Sequence, residues 1–184
     1  TLVQEKTFGY FYEGAEPVSG MAPERIHPDN DYPANDANIV ATGGSGFGLM
    51  TLIAGAERGF ISKEDYAKRI DKIVSFLEKA DKYHGMFSHW YFPSGHTKPF
   101  GQMDDGGDMV ESSFLFEGLL CTRQYLRDYF TDQDSLANRI DSLWRNADYD
   151  WYTHGKNVLY WHWSPNYAWQ MNFPIHGFNE CLIA

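Results

Sequence analysis

The chain is 184 residues long, 43% hydrophobic and 22% charged, the composition of a globular unit able to bury a core. Its net charge of −10 excludes a basic face for nucleic acid or an anionic membrane surface, and suits a neutral substrate. No apolar run approaches the roughly 20 residues of a membrane span, and 17% aromatic content fits either a ring-rich core or a cleft whose flat faces stack on sugars.

Residues 1–12 read as a short helix, and residues 13–43, with Pro17, Pro23, Pro28 and Pro33, as loop. The segment 46–58 (GFGLMTLIAGAER) is almost wholly apolar and reads as a buried helix, with Gly59 as its C-cap. Ser62 is placed as the next N-cap, with Asp65 three residues on and Ile61 and Tyr66 spaced as a staple. Tyr66, Ile70, Ile73, Val74 and Leu77 then carry an amphipathic helix to about His84. A long loop follows over 85–107, a second apolar helix over 108–129, and an amphipathic helix over 133–147. The segment 148–178 is another long loop, in which LYWHWS is expected to form a strand or hairpin; a third apolar helix is expected from Asn179. Cys121 and Cys181 each lie in an apolar stretch and read as two buried thiols, with one disulfide as the alternative.

A unit therefore repeats: long loop, buried helix, short turn, amphipathic helix. Its buried helices start near Gly46, Asp108 and Asn179. Helices joined by tight turns are antiparallel neighbours, so stacking such hairpins puts every long loop on one face, where function tends to collect. This is an all-α architecture, the first half of an (α/α)6 toroid. Residues 1–184 are expected to form a single partial domain whose remainder is absent, from a chain trimmed or processed before Thr1.

The chemistry concentrates in Asp104-Asp105-Gly106-Gly107-Asp108-Met109-Val110-Glu111. Asp108 suits an N-cap and Glu111 lies one turn later on the same face, so a capping box and a pair of catalytic carboxylates both fit. Asp104 and Asp105 read as solvated or turn residues. Glu180 opens the third apolar helix as Glu111 opens the second, so adjacent hairpins would present both at one level across a cleft, the arrangement that glycoside hydrolysis needs. Glu180 is the candidate general acid, because its apolar neighbours Leu182 and Ile183 would favour the protonated form. Trp90, Tyr91, Trp161 and Trp163 are candidate sugar platforms, and His89 and His162 among them are candidate hydroxyl partners. No metal spacing is present, and neither metal nor cofactor is expected. Gly43-Gly44-Ser45-Gly46-Phe47-Gly48 lacks the lysine of a phosphate loop and reads instead as close backbone approach at the mouth of the cleft.

The motifs TGGSGFGLM, SFLEKADKYHGMFSHW, PFGQMDDGGDMVESSFLFEGLL, LYWHWSPN and NECLIA together resemble a bacterial family commonly labelled glucoamylase, which includes the endo-β-1,2-glucanases. The resemblance implies an (α/α)6 toroid of about twice this length, and a periplasmic or secreted enzyme. Carried over position by position, it implies that Asp108, Glu111 and Glu180 matter for activity, with Ser112 where relatives often have Thr. The implied reaction is inverting hydrolysis of a glucan, β-1,2-linked, with the rest of the domain completing the site. An α-glucan-cleaving glucoamylase and a non-catalytic glycan-binding protein are the alternatives.

Overall fold

The computed structural model describes every residue except Pro33, Asn35 and Asn179, and all side chains of the others but that of Cys181. Among the described residues the α-helices are α1 (Leu2–Tyr12), α2 (Thr42–Glu57), α3 (Lys63–Lys79), α4 (Met109–Tyr129) and α5 (Asp134–Arg145). Two-residue strands thread between them: β1 (Val40–Ala41), β2 (Lys82–Tyr83), β3 (Met86–Phe87), β4 (Trp90–Tyr91), β5 (Thr97–Lys98), β6 (Gly107–Asp108) and β7 (His162–Trp163). All are antiparallel pairings, in the orders β1-β4-β5, β2-β3 and β6-β7.

The two expected hairpins are α2–α3 and α4–α5. The apolar helices α2 and α4 pack along one another as an inner layer, and the amphipathic α3 and α5 pack against each other outside them. This is the all-α, two-layered arc expected for part of an α/α toroid. Its inner contact depends on missing side chains. A methyl group on Gly46 would run into the Phe114 carbonyl, and one on Gly118 into that of Gly46, so the two backbones approach as only glycine allows. In the outer layer, Arg139 of α5 reaches α3 at Asp71 (2.5 Å), Glu78 (2.8 Å) and Ser75 (2.8 Å).

Local signals explain most boundaries. Ser62 Oγ accepts the Asp65 N–H at 3.0 Å, which fixes the start of α3. Helix α2 closes with Gly59 just past its end, at φ 70°. The Gly59 N–H returns to the Ala56 carbonyl (3.2 Å) and the Phe60 N–H to that of Gly55 (2.8 Å), a Schellman closure. The helix begins four residues before the apolar segment does, at Thr42, so GGS is helical rather than loop. Helix α3 stops at Lys79, not near His84. Lys82 Nζ caps the carbonyls of Leu77 (2.7 Å) and Ala80 (2.8 Å), and His84 and Gly85, both at positive φ, form the two-residue turn of the β2-β3 hairpin.

Two expectations fail near the end of the chain. In place of a buried helix, Glu180–Ile183 form one 3-10 turn beside α4. Leu182 is 63% exposed and Ile183 also faces solvent, with no cover among the described residues. The start expected at Asn179 and the thiol of Cys181 lie outside the described residues; Cys121 is a half-buried free thiol rather than a fully buried one. No helix among the described residues is long and apolar enough to cross a membrane.

Candidate active site

The loop face gathers the chemistry. Strand β7 pairs with β6, Asp108 opposite His162, so LYWHWS is held against the residues that open α4. The Met109 N–H continues this contact to the Trp161 carbonyl at 2.8 Å. On the other side, the Thr42 N–H donates to the His89 carbonyl at 3.1 Å, tying the start of α2 to the loop after β3. Three chain segments distant in sequence thereby converge where α2 and α4 both begin.

Asp108 is fully buried and caps α4, its Oδ1 accepting the Glu111 N–H at 2.9 Å. Glu111 is mostly buried and its Oε2 accepts the Gly43 N–H at 2.8 Å. A methyl group on Gly43 would stand 2.5 Å from that same oxygen, so the glycine run does provide close backbone approach at the site. Asp108, Glu111 and Glu180 line one cavity of about 270 Å³ together with His89, Val110, Trp161, Phe173 and Ile175. That is near the lower end of ligand-site volumes, roughly 300–1,000 Å³. Trp161 sits edge-on to Phe173, ring centroids 5.5 Å apart, forming an aromatic wall beside the carboxylates.

Burial pushes the Glu111 carboxyl above its ordinary range; the charges of Asp108 and Glu180 add to this, while His89 and the Gly43 N–H oppose it. Asp104 goes the other way. Burial would raise it, but His162 and His89 outweigh burial and hold it low. His89 is pushed up to about 10: burial alone would lower it, but Asp104, Asp108 and Glu111 together prevail.

The expected site residues separate into two groups. Asp108, Glu111, Glu180, Trp161 and His89 share the cavity. Tyr91 does not: it is fully buried in the central strand of β1-β4-β5, its hydroxyl accepting the Ser88 N–H (2.7 Å) and donating to the Asp81 carbonyl (2.6 Å). Strand alternation points its neighbour Trp90 outward, edge-on to Phe100 at 4.8 Å and outside the cavity lining. His162 has a wholly buried side chain and lies outside the cavity lining; its Nε2 accepts the Gly106 N–H at 3.2 Å and lies 3.2 Å from Asp104 Oδ1. Trp163, on the opposite face of β7, packs with Tyr83, His84 and Trp151 rather than in the cavity. Glu180 itself is exposed, with its sequence neighbours Leu182 and Ile183 also turned to solvent, whereas Glu111 is the carboxylate that burial favours in protonated form.

Sequence reasoning missed Asp104, which is 4% exposed and pairs with two histidines rather than with solvent. The packing of the adjacent glycines accounts for its burial. Methyl groups on Gly106 and Gly107 would meet the Trp163 carbonyl and the Tyr152 hydroxyl, so the segment is buried and its aspartate with it. Phe100, Phe173 and Ile175 gave no sequence signal. His89, Asp104 and Asp108 also place ligand atoms within 4.8 Å of one another, a spacing that a cation or a shared proton can fill.

No protein-family model matches the chain. Among curated proteins it is 48% identical, over an alignment of 188 positions that takes in 99% of its length, to the exo β-1,2-glucooligosaccharide sophorohydrolase (non-reducing end) of Parabacteroides distasonis, and covers 25% of that protein. Among solved structures it is 60% identical to an endo-β-1,2-glucanase from Chitinophaga pinensis, determined with sophorotriose and glucose, with a TM-score of 0.96 over 99% of this chain and 44% of that one. A Bacteroides caccae protein with a provisional glucoamylase label is 56% identical, with the same TM-score, and this chain covers 45% of it. The chain is thus homologous over nearly its whole length to the endo-β-1,2-glucanases and their glucoamylase-labelled relatives, and spans less than half of each.

Proposed function

We propose that the protein containing this chain is a glycoside hydrolase that cleaves a β-1,2-linked glucan, with Asp108, Glu111 and Glu180 as its catalytic carboxylates. The observation that carries this reading is the cavity that brings those three together beside Trp161 and Phe173. Hydrolysis of a glycosidic bond uses one carboxyl group held protonated and one ionised across the sugar. Glu111 is buried and shifted toward the protonated form, as the acid requires, and Glu180 stands on the turn that lines the same cavity. The names of the two β-1,2-specific relatives support the linkage. Residues 1–184 are one part of a toroid domain, and the remaining part supplies the opposite wall of the cleft. The enzyme works in the periplasm or outside the cell, where polymeric glucans are met, and it inverts the anomeric centre.

The test uses the intact protein, incubated with β-1,2-glucan and separately with starch, wild type beside Glu111→Gln and Glu180→Gln. Release of sugars from the β-1,2-glucan, lost in both variants, supports the reading. Cleavage of starch alone overturns the linkage, and turnover undiminished in both variants overturns the carboxylate assignment. The anomer first released, followed by proton NMR, decides between inversion and retention.

A further inference from the structure

His89 is enclosed by carboxylates. Its Nδ1 lies 3.3 Å from Asp104 Oδ2 and 3.2 Å from Asp108 Oδ2, and its Nε2 lies 4.0 Å from Glu111 Oε1. The single N–H at Nδ1 is shared between two aspartates and aligned squarely with neither. One ring face is covered by Phe100, which stacks on it with centroids 4.1 Å apart and planes 7° from parallel. Phe100 and Asp104 come from one turn, closed by the Phe100 N–H to the Asp104 carbonyl at 2.9 Å, so a single loop supplies both the plate and a counter-ion. From the other side, the His89 carbonyl takes the N–H of Thr42, and the next residue, Gly43, holds Glu111.

We propose that His89 is a positioning residue, an imidazolium bridge that fixes Asp108 and Glu111 relative to one another with Asp104 as its anchor. The inference rests on the hydrolase reading above for its kinetic consequence, though not for its geometry. Both ring nitrogens face carboxylates, Nδ1 two of them at close range and Nε2 one at ion-pair range. A neutral imidazole would bring no charge to the two aspartates that meet at Nδ1 or to Glu111 beyond Nε2. The protonated ring satisfies both sides.

The groups that face this unit are known. Asp104 is also met by His162, Glu180 acts on Glu111, and Lys98 lies over the adjacent Trp90 ring at 6.0 Å. Removing the imidazolium takes away the positive charge that opposes the upward shift of Glu111. The carboxyl should then hold its proton to higher pH.

Two measurements on the intact protein test this. In pH–rate profiles on β-1,2-glucan, His89→Gln should lower kcat at least tenfold with little change in KM, and move one limb up by about one pH unit. His89→Lys, which keeps a positive charge, should leave that limb near its wild-type position. Independently of turnover, nitrogen-15 histidine NMR of the wild type should show one imidazole with both nitrogens protonated through pH 8, absent from His89→Gln. A rise in KM alone, or a His89 ring that titrates near 6.5, would overturn the proposal, as would deprotonation of the ring on adding zinc or calcium. If the wild type releases no sugar, the hydrolase reading fails and the NMR still decides the state of His89.

Discussion

Gly43 holds Glu111 from a distance that no other residue could keep: its N–H donates to Glu111 Oε2 at 2.8 Å, while a Cβ in its place would lie 2.5 Å from that oxygen. The start of α2 is thus built around a side chain of α4. Gly43→Ala should displace the Glu111 carboxylate without unfolding the protein, because the clash is with the end of a side chain. A displacement of that kind costs a rate of about 10²-fold. Sugar release by intact Gly43→Ala, compared with wild type at equal folded content by circular dichroism, checks it. Full activity would mean that Glu111 need not sit where this hydrogen bond puts it.

The second glycine of consequence meets backbone instead. Gly46 lies against the Phe114 carbonyl where α2 crosses α4, and neither helix can yield without moving the other. Gly46→Ala should destabilise by about 1–3 kcal/mol or more, the range for overpacking. Gly44 is the control, since its nearest neighbour would be Ala41 Cβ at an ordinary 3.4 Å. Gly44→Ala should change stability by less than about 1 kcal/mol, toward greater stability, because alanine favours the helix. Denaturant midpoints of the two variants provide the comparison, and equal midpoints would contradict the crossing described.

These glycines also show how much the sequence disclosed. The pattern of apolar and amphipathic helices, the Ser62 cap, the Gly59 closure and the Asp108 cap were legible because each rests on local chemistry. So were Asp108 and Glu111 as neighbours at the start of α4. What was not legible depends on the face a short strand presents. Tyr91 and His162 lie in two-residue strands, too short for a period-2 pattern to show which side faces the core, and both turned inward. Asp104 was misread for a related reason: an aspartate in a glycine-rich turn has the sequence signature of solvent exposure, and only the packing around Gly106 and Gly107 reveals otherwise.

The charge cluster should be visible in stability as a function of pH. His89 has a folded value raised to about 10 from 6.5. Its contribution is therefore complete below pH 6.5 and is lost as pH rises toward 10. Asp104 is held below its ordinary 3.8, so its contribution is present above that pH and is lost as pH falls through its lowered value. The difference in unfolding free energy between wild type and His89→Gln should be greatest between about pH 5 and 6.5 and shrink steadily to pH 10. Urea titrations at spaced pH values measure it. A difference constant across that range would show that His89 stabilises by packing on Phe100 and not by charge.

Aromatic rings divide into lining and packing by the same geometry. Trp161 shares the cavity with the three carboxylates, whereas Trp163 packs on Tyr83, His84 and Trp151. A ring that stacks on a sugar contributes mainly to binding, on the order of 1–2 kcal/mol for the apolar area it covers. Trp161→Ala should therefore raise KM about tenfold, the equivalent of about 1.4 kcal/mol, and lower the melting temperature only slightly. Trp163→Ala should do the reverse, lowering the melting temperature while leaving KM near the wild-type value, since its loss opens a hole in a side-chain cluster away from the substrate. Measuring both quantities on both variants separates the two roles. If Trp163→Ala instead raised KM with an unchanged melting temperature, the sugar path would run across the Trp151 cluster, and the cavity at Glu111 would be only one end of a longer cleft.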